Sequence, residues 1–337
     1  MRIAIIGAGS IGCYVGGRLT AAGAQVHFVG RESIGAMLAA HGLRLSDYRG
    51  ASLRIAAGSV SFSTTLGSAR DCDVFLITVK SAATAEVAQG LAAVVPDRGL
   101  VVSLQNGLGN AAVLREYLPR ATVLPGMVPF NVVNAGQGRF HQGSEGDLEV
   151  EDHPDLAGLK PAFAAAGLPL VSHPDLLPVL WAKLLLNLNN PVNALSGLPL
   201  KAELSQRAFR CCVALAQREA LHWMDIAGIQ PARLTPLPPH WIPRLLAVPD
   251  WLFRLLANKM LEIDPLARSS MWEDLEAGRH TEIDWINGEV LRLARRHGGT
   301  APVNARLIAL IRDAEAGDRH EWRGEDLLRE LQQAALF

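Results

Sequence analysis

Three groups of residues in this chain have types and spacings suited to chemistry. The first is Lys183 with Asn187, four residues apart in the apolar run Trp181-Ala-Lys-Leu-Leu-Leu-Asn187, so a helix sets both on one face. An apolar helix needs neither group, and an ammonium partly withdrawn from water has its pKa pushed down until it can give a proton near neutral pH. The structural alternative is a lysine snorkelling at the rim of a core helix. The second group is Lys80, which closes the run Val74-Phe-Leu-Ile-Thr-Val-Lys80, and Asn106, in the Gln105-Asn106-Gly107 that closes the next apolar run. Strand ends at one carboxyl edge are where open α/β sheets bind ligands, so both side chains are placed to reach a cofactor and a substrate. A strand-end cation facing water and an Asn-Gly turn are the plainer readings. The third group runs from Ser269-Ser270-Met271-Trp272-Glu273-Asp274 through Gly278-Arg279-His280-Thr281-Glu282-Ile283-Asp284 to Asn287-Gly288. It is dense in polar groups, but Thr281 and the acids also suit helix capping. Lysine is scarce, with Lys80, Lys160, Lys183, Lys201 and Lys259 making up the whole set.

The opening of the chain supplies a scaffold. Arg2-Ile-Ala-Ile-Ile6 leads directly into Gly7-Ala8-Gly9-Ser10-Ile11-Gly12, and a helical segment follows from Ile11 to about Ala22. A G-x-G-x-x-G that ends a strand and opens a helix is built to hold a dinucleotide: Gly7 turns the chain, Gly9 admits a pyrophosphate to the backbone, and Gly12 lets helix and sheet pack closely. The pyrophosphate would sit on the N–H groups of Ser10, Ile11 and Gly12 at the helix start. A Gly-rich tight turn is the bland alternative. The next apolar run, Gln25-Val-His-Phe-Val29, is followed by Gly30-Arg31, where an NAD-selective site carries an acid for the ribose 2′-hydroxyl. Arginine accepts no hydrogen bond, yet its planar fork matches a 2′-phosphate, which favours NADP over an ordinary solvated loop arginine.

A chain of 337 residues suits two domains of about 150 residues each. Its 32 basic and 33 acidic residues leave a net charge of −1. No Lys/Arg run marks a nucleic-acid or membrane face, so a small molecule is the expected partner. Cys13, Cys72, Cys211 and Cys212 show neither C-x-x-C spacing nor a secreted framework, and no signal peptide precedes the first strand, which points to a reducing cytoplasm. No metal site is expected. The most apolar stretch, residues 176–200, contains Pro178, Lys183, Asn187, Asn189, Asn190 and Pro191, which are costly in lipid, so it reads as a buried helix of a soluble protein. Over residues 1–172 strand-like and helix-like runs alternate, predicting an α/β fold with a Rossmann-type doubly wound dinucleotide-binding domain. Its strands are expected at residues 3–6, 26–29, 74–79, 101–104, 123–128 and 168–171, with the Gly-rich stretch from Asn131 to Phe140 forming hairpins on the sheet edge. Residues 173–337 read as an all-α C-terminal domain, with helical periodicity over 209–226, 285–294 and 305–311 and a Pro-rich loop at 235–243.

Gly7-x-Gly9-x-x-Gly12, Arg31, Thr78-Val-Lys80, Gln105-Asn-Gly-Leu-Gly109, Trp181-x-Lys-Leu-x-x-Asn187, and Ser269-Ser-Met with Gly-Arg-His-Thr-Glu-Ile-Asp284 and Asn-Gly288 follow one another in this order. In that order the chain resembles the ketopantoate reductase (2-dehydropantoate 2-reductase) family over most of its length. The resemblance implies NADPH-dependent reduction of a branched 2-oxo acid, ketopantoate to pantoate, in pantothenate biosynthesis. It makes the helical half the substrate and dimerisation domain, compatible with a homodimer. It also implies Lys183 as general acid, Glu282 as the acid that helps bind substrate and position the lysine, and Asn106, Asn187 and Ser270 as polar groups around the 2-oxo acid. Lys80 resembles the strand-end lysine near nicotinamide and substrate. The chain departs from the family pattern at Pro191, where a second asparagine is common and is here Asn190, and at Ala267, where another asparagine is frequent. The segment 236–261 is longer than in compact members. Three other readings stay open: a reductase of a different 2-oxo acid, a non-catalytic NADP-binding regulatory protein, and a dehydrogenase of secondary amines.

Overall fold

The N-terminal apolar run forms β1 (Arg2–Ile6), and its alternation divides the interior in two. Ile3 and Ile5 belong to one buried cluster with Leu76, Val102 and Leu124, whereas Ala4 and Ile6 belong to another with Phe75, Ile77, Val101 and Val123. Successive side chains of a strand leave opposite faces, so strands covered on both faces read as continuous apolar runs. The computed structural model describes residues 1–257 and 267–336, so Lys259 and the end of the 236–261 segment lie outside the described residues. These fall into two units, Met1–Leu176 and Leu177–Phe337.

In the first unit β1 is followed by α1 (Ser10–Ala21), β2 (Gln25–Val29), α2 (Glu32–His41), β3 (Leu43–Asp47), β4 (Ser52–Ile55), β5 (Ser61–Ser63), β6 (Val74–Ile77), α3 (Thr84–Leu91) and β7 (Leu100–Ser103). Then come α4 (Asn110–Tyr117), β8 (Thr122–Met127), β9 (Val132–Asn134), β10 (Arg139–Gln142), β11 (Leu148–Glu151), α5 (Leu159–Ala165) and β12 (Leu170–His173). The main sheet has the order β12-β11-β8-β7-β6-β1-β2-β5. Its strands from β5 to β8 are parallel, in the arrangement of a doubly wound nucleotide-binding sheet. The crossover from β5 back to β6 puts a topological switch between β1 and β6, and ligands bind at the carboxyl ends of the strands flanking such a switch.

Two expectations are corrected here. The Gly-rich hairpin, β9 with β10, does not extend the main sheet; it pairs with β3 in a second sheet of order β4-β3-β10-β9. The cause is apolar packing: Leu43, Leu45, Val132 and Phe140 share a core with Tyr14 and Leu19 of α1, and Leu45 sits where a side chain at Gly17 would be, 2.8 Å from an ideal Cβ. β11 and β12 supply the main-sheet edge instead, with β12 two residues later than expected. Secondly, β6 ends at Ile77 and β7 at Ser103, so Lys80 and Asn106 stand in loops beyond the strands.

The described residues of the second unit contain helices and no strand: α6 (Leu177–Asn187), α7 (Asn189–Ser196), α8 (Leu200–Leu204), α9 (Arg207–Ile226), α10 (Ile242–Leu246), α11 (Asp250–Leu256), α12 (Ser270–Glu276), α13 (Ile283–Arg296), α14 (Pro302–Glu315) and α15 (Gly324–Ala334). The single buried helix expected over 176–200 is in fact α6 and α7, broken at Leu188. Pro191 has no N–H for the carbonyl of Asn187, and its ring would crowd that carbonyl, so it is accommodated in the first turn of a new helix. Gln217 of α9 meets a carbonyl near the break, donating Nε2–H to Leu185 O at 3.0 Å. The Pro-rich loop ends at Pro238, because Pro239–Trp241 form a 3-10 turn that runs into α10. Among the described residues no helix is long and apolar enough to cross a membrane.

The longer segment is fastened by one buried cation. Arg210 of α9 has no exposed surface. It donates to the carbonyls of Leu204, Leu246 and Val248 at 2.9, 3.1 and 2.8 Å, lies 2.9 Å from Asp250, and stacks 4.1 Å over the Phe253 ring. Each buried acceptor left unmet costs about 1–3 kcal/mol. Arg210→Leu is therefore expected to lose about 3 kcal/mol or more, read as a lower urea midpoint; an unchanged midpoint would show that the segment stands without this anchor.

Candidate active site

The first unit gathers its candidates along the carboxyl edge of the main sheet. After β1, Gly7 takes φ +106°, and a Cβ there would lie 2.6 Å from Val79 N. Gly12 is tighter still, with its ideal Cβ 2.3 Å from Gly7 O, 2.6 Å from Thr78 Oγ1 and 2.9 Å from Ile5 Cγ2. Thr78 donates its hydroxyl to Gly7 O at 2.7 Å, locking the loop after β6 to the turn after β1. Gly9 differs from both: nothing lies within 4 Å of its ideal Cβ. It is the N-cap of α1 but provides no side-chain cap. The Cys13 N–H makes the helical bond to Gly9 O at 2.8 Å, so those of Ser10, Ile11 and Gly12 come before the ladder begins. Open space over a glycine beside uncapped helix N–H groups fits an anionic bridge such as a pyrophosphate. Arg31 is exposed at the N-terminus of α2. Gly30 before it lets the end of β2 approach the Gly-rich turn, since a Cβ there would meet that of Ala8 at 2.8 Å.

Lys80 and Asn106 share a mount. The Asn106 carbonyl accepts from Ser81 Oγ at 2.8 Å and from Asn110 Nδ2 at 2.6 Å. Gln105 donates to Val79 O at 3.0 Å and Thr84 Oγ1 at 2.7 Å, and Thr84 donates to Asn110 Oδ1 at 2.8 Å. Ser81, Thr84, Gln105 and Asn110 are buried, so this network fixes the two loops without presenting its own groups to solvent. Gly107, with φ +91°, completes the turn. Among these supports, Asn110 went unmarked in sequence, its one signal being its place four residues after Asn106.

In the second unit Lys183 and Asn187 occupy successive turns of α6. Lys183 keeps part of its surface, but burial lowers its ammonium from 10.5 to about 8, because packed atoms solvate the charged form poorly. Ser270 is the exposed first residue of α12, whose N-cap is Ser269. Glu282 stands at the N-cap position of α13 without capping it. Its neighbour Thr281 takes the capping role, accepting from Ile283 N at 3.3 Å, and Glu315 Oε1 holds the Thr281 N–H at 2.7 Å. Burial pushes the Glu315 carboxyl up, and the hydrogen bonds from Thr281 and His280 outweigh it, leaving the group below its ordinary value. α13 is anchored from inside: Asn287 donates to Asn304 Oδ1 at 3.0 Å, Asn304 donates to Glu219 Oε2 at 2.7 Å, and Glu219 receives the N–H groups of Val303 and Asn304 at the start of α14. Glu219 and Asn304 went unmarked in sequence because a polar residue on an amphipathic helix reads as solvated.

A doubly wound sheet with this turn, followed by a helical unit, is the architecture of a Rossmann-type oxidoreductase. Family models described as ketopantoate reductase PanE/ApbA and ketopantoate reductase PanE/ApbA C terminal match residues 3–155 and 175–315. The chain belongs to this family, whose enzymes are oxidoreductases acting on CH–OH groups. It is 30% identical over 329 residues to a 2-dehydropantoate 2-reductase of Archaeoglobus fulgidus, covering 94% of this chain and 98% of the relative. A PanE/ApbA family ketopantoate reductase from Ralstonia eutropha superposes with TM-score 0.80 at 29% identity, covering 95% of this chain and all of the other. The fold is shared with a D-mandelate dehydrogenase, at TM-score 0.78 and 19% identity over 94% of this chain and 99% of that one.

The glycine geometry separates fold from binding. Gly12→Ala is expected to cost about 1–3 kcal/mol by overpacking, whereas Gly9→Ala should stay within about 1 kcal/mol of wild type yet lose dinucleotide affinity. Thermal melts with and without added dinucleotide check both, and an undiminished ligand-induced shift in Gly9→Ala would remove the turn from the binding site.

Proposed function

We propose that this protein reduces a branched 2-oxo acid to the 2-hydroxy acid with NADPH, ketopantoate to pantoate being first choice, as a step of pantothenate biosynthesis. The observation that carries the proposal is Lys183, an ammonium lowered to about 8 with Asn187 one turn away on α6, in a chain with 2-dehydropantoate 2-reductase relatives. Gly7, Gly9, Ser10, Ile11 and Gly12 would hold the pyrophosphate, Arg31 the 2′-phosphate, and Lys80 and Asn106 the nicotinamide end. When bound, NADPH supplies a hydride to the carbonyl carbon. Lys183 meets the negative charge that then grows on the carbonyl oxygen and gives it a proton, help worth about 10² to 10⁴ in rate. Glu282 binds substrate and orients the lysine. Asn187 and Ser270 hydrogen-bond the 2-oxo acid, and Asn106 adds a fixed donor to the developing oxyanion. The helical unit would also carry dimer contacts, as one structural relative is a dimeric ketopantoate reductase from Staphylococcus aureus.

A different 2-oxo acid is the second reading, favoured by the departures at Pro191 and Ala267. NADPH oxidation across a panel of 2-oxo acids including ketopantoate decides between them, and no turnover with any of them would sink both.

Lys183→Ala is expected to lower kcat at least about 10²-fold with NADPH affinity nearly unchanged. Because the donor must hold its proton, wild-type kcat/KM should fall as pH rises through about 8. Near-normal kcat in a folded Lys183→Ala protein, or a flat profile, would take the lysine out of the mechanism.

Arg31→Ala tests cofactor choice. Charge-assisted hydrogen bonds are worth about 1.5–3 kcal/mol each, so NADPH should weaken roughly 10-fold to 150-fold while NADH barely changes. Dissociation constants at moderate salt measure this, and equal weakening of both cofactors would refute Arg31 as reader of the 2′-phosphate.

A further inference from the structure

Two polar side chains with no exposed surface, Asn193 of α7 and Glu203 of α8, meet beneath the start of α12. Asn193 Oδ1 accepts the Ser269 N–H at 2.9 Å, while its Nδ2 donates to Leu198 O at 3.0 Å and to Glu203 Oε2 at 2.9 Å. These partners fix the amide orientation, because a backbone N–H must meet the oxygen and a carbonyl must meet the NH2. Ser269 spends its hydroxyl on the same junction, accepting from Trp272 N at 3.2 Å and donating to Asn190 O at 3.2 Å. Leu200 N donates to Ala267 O at 2.8 Å, so the chain entering α12 is bound to α8 at Ala267 and to α7 at Ser269. Glu203 also accepts from Asn189 Nδ2 at 3.4 Å, and its Oε1 has no hydrogen-bond partner among the described residues. Burial pushes this carboxyl up to about 8, a cost that folding alone does not call for at a position where an apolar side chain would pack.

We infer that Asn193, steadied by Glu203, is a positioning residue that sets Ser270 against the 2-oxo acid through the Ser269 N–H, without touching substrate itself. The inference rests on the reading of Ser270 as a substrate contact. Its action differs from general support of the fold because it reaches the substrate only through the one residue that follows Ser269.

A double-mutant cycle tests it, with ketopantoate as substrate and NADPH saturating. Ser270→Ala and Asn193→Ala are each expected to raise KM about tenfold, one hydrogen bond's worth, with the NADPH dissociation constant unchanged. In the Ser270→Ala background, Asn193→Ala should add less than about twofold, because coupled sites are non-additive. Glu203→Gln, which keeps an oxygen for Asn193 Nδ2, should restore near-normal KM where Glu203→Leu does not. If Asn193→Ala does not fold, Ser269→Ala, which removes only the hydroxyl bonds, enters the same cycle with the same expectation. A Ser270→Ala protein with wild-type KM overturns the substrate-contact reading and this inference together. A sensitive Ser270→Ala with fully additive effects at the second position overturns the positioning role alone.

Discussion

Backbone crowding at one point governs the first unit: Gly12 lies so close to the carbonyl of Gly7 and the hydroxyl of Thr78 that no side chain fits between them. That approach holds α1 hard against the ends of β1 and β6, at the switch in strand order. Everything mounted along the same edge inherits its position, because the loop after β6 is bonded to the turn after β1 by Thr78 and to the loop after β7 by Ser81, Gln105 and Asn110. Three flexible connections become one shaped surface, as a preorganised ligand site requires.

The second unit solves a different problem. A chain of helices with interruptions leaves carbonyls and amides inside the protein, and each must find a partner or cost stability. Gln217 serves Leu185 beside the break that Pro191 causes, Glu219 serves the first turn of α14, and Arg210 collects three carbonyls around the ends of α8 and α10. The breaks thus carry the ends of α6 and α13, with Asn187 and Glu282, on well-fastened supports. Helix termini are where functional groups can face outward without disturbing a packed stripe.

The strands around the switch were legible in sequence because residues 3–6 and 74–77 are apolar without interruption, and residues 3–6 run straight into the glycine turn at Gly7. The β9–β10 hairpin was legible too, but not its partners in the second sheet, since β3 and β4 alternate Leu43, Leu45 and Ile55 with Arg44 and Ser52, a weak signal in strands of four or five residues. The helical half was legible as a class from its period. Its break was hidden because Pro191 is tolerated in a first turn as readily as it ends a helix. Lys183 stood out by type and spacing and Glu282 through the family resemblance, but Asn193, Glu203 and Arg210 did not: their roles depend on which helices meet, and the hydrophobic pattern of one helix says nothing about its neighbour's carbonyls.

The lowered ammonium of Lys183 sets the fold and its chemistry against each other along the pH axis. In the folded protein this group releases its proton near 8, in the unfolded chain near 10.5. Between those values the unfolded chain binds the extra proton, so stability climbs as alkalinity increases across that window, and below it the full penalty for holding a charge in poor solvent is in force. The protein is therefore least comfortable in the protonation state that the proposed reaction calls upon. A population selected for endurance near neutral pH rather than for turnover would drift toward replacing this side chain, and its presence at a thermodynamically unwelcome position is the imprint of a demand other than folding.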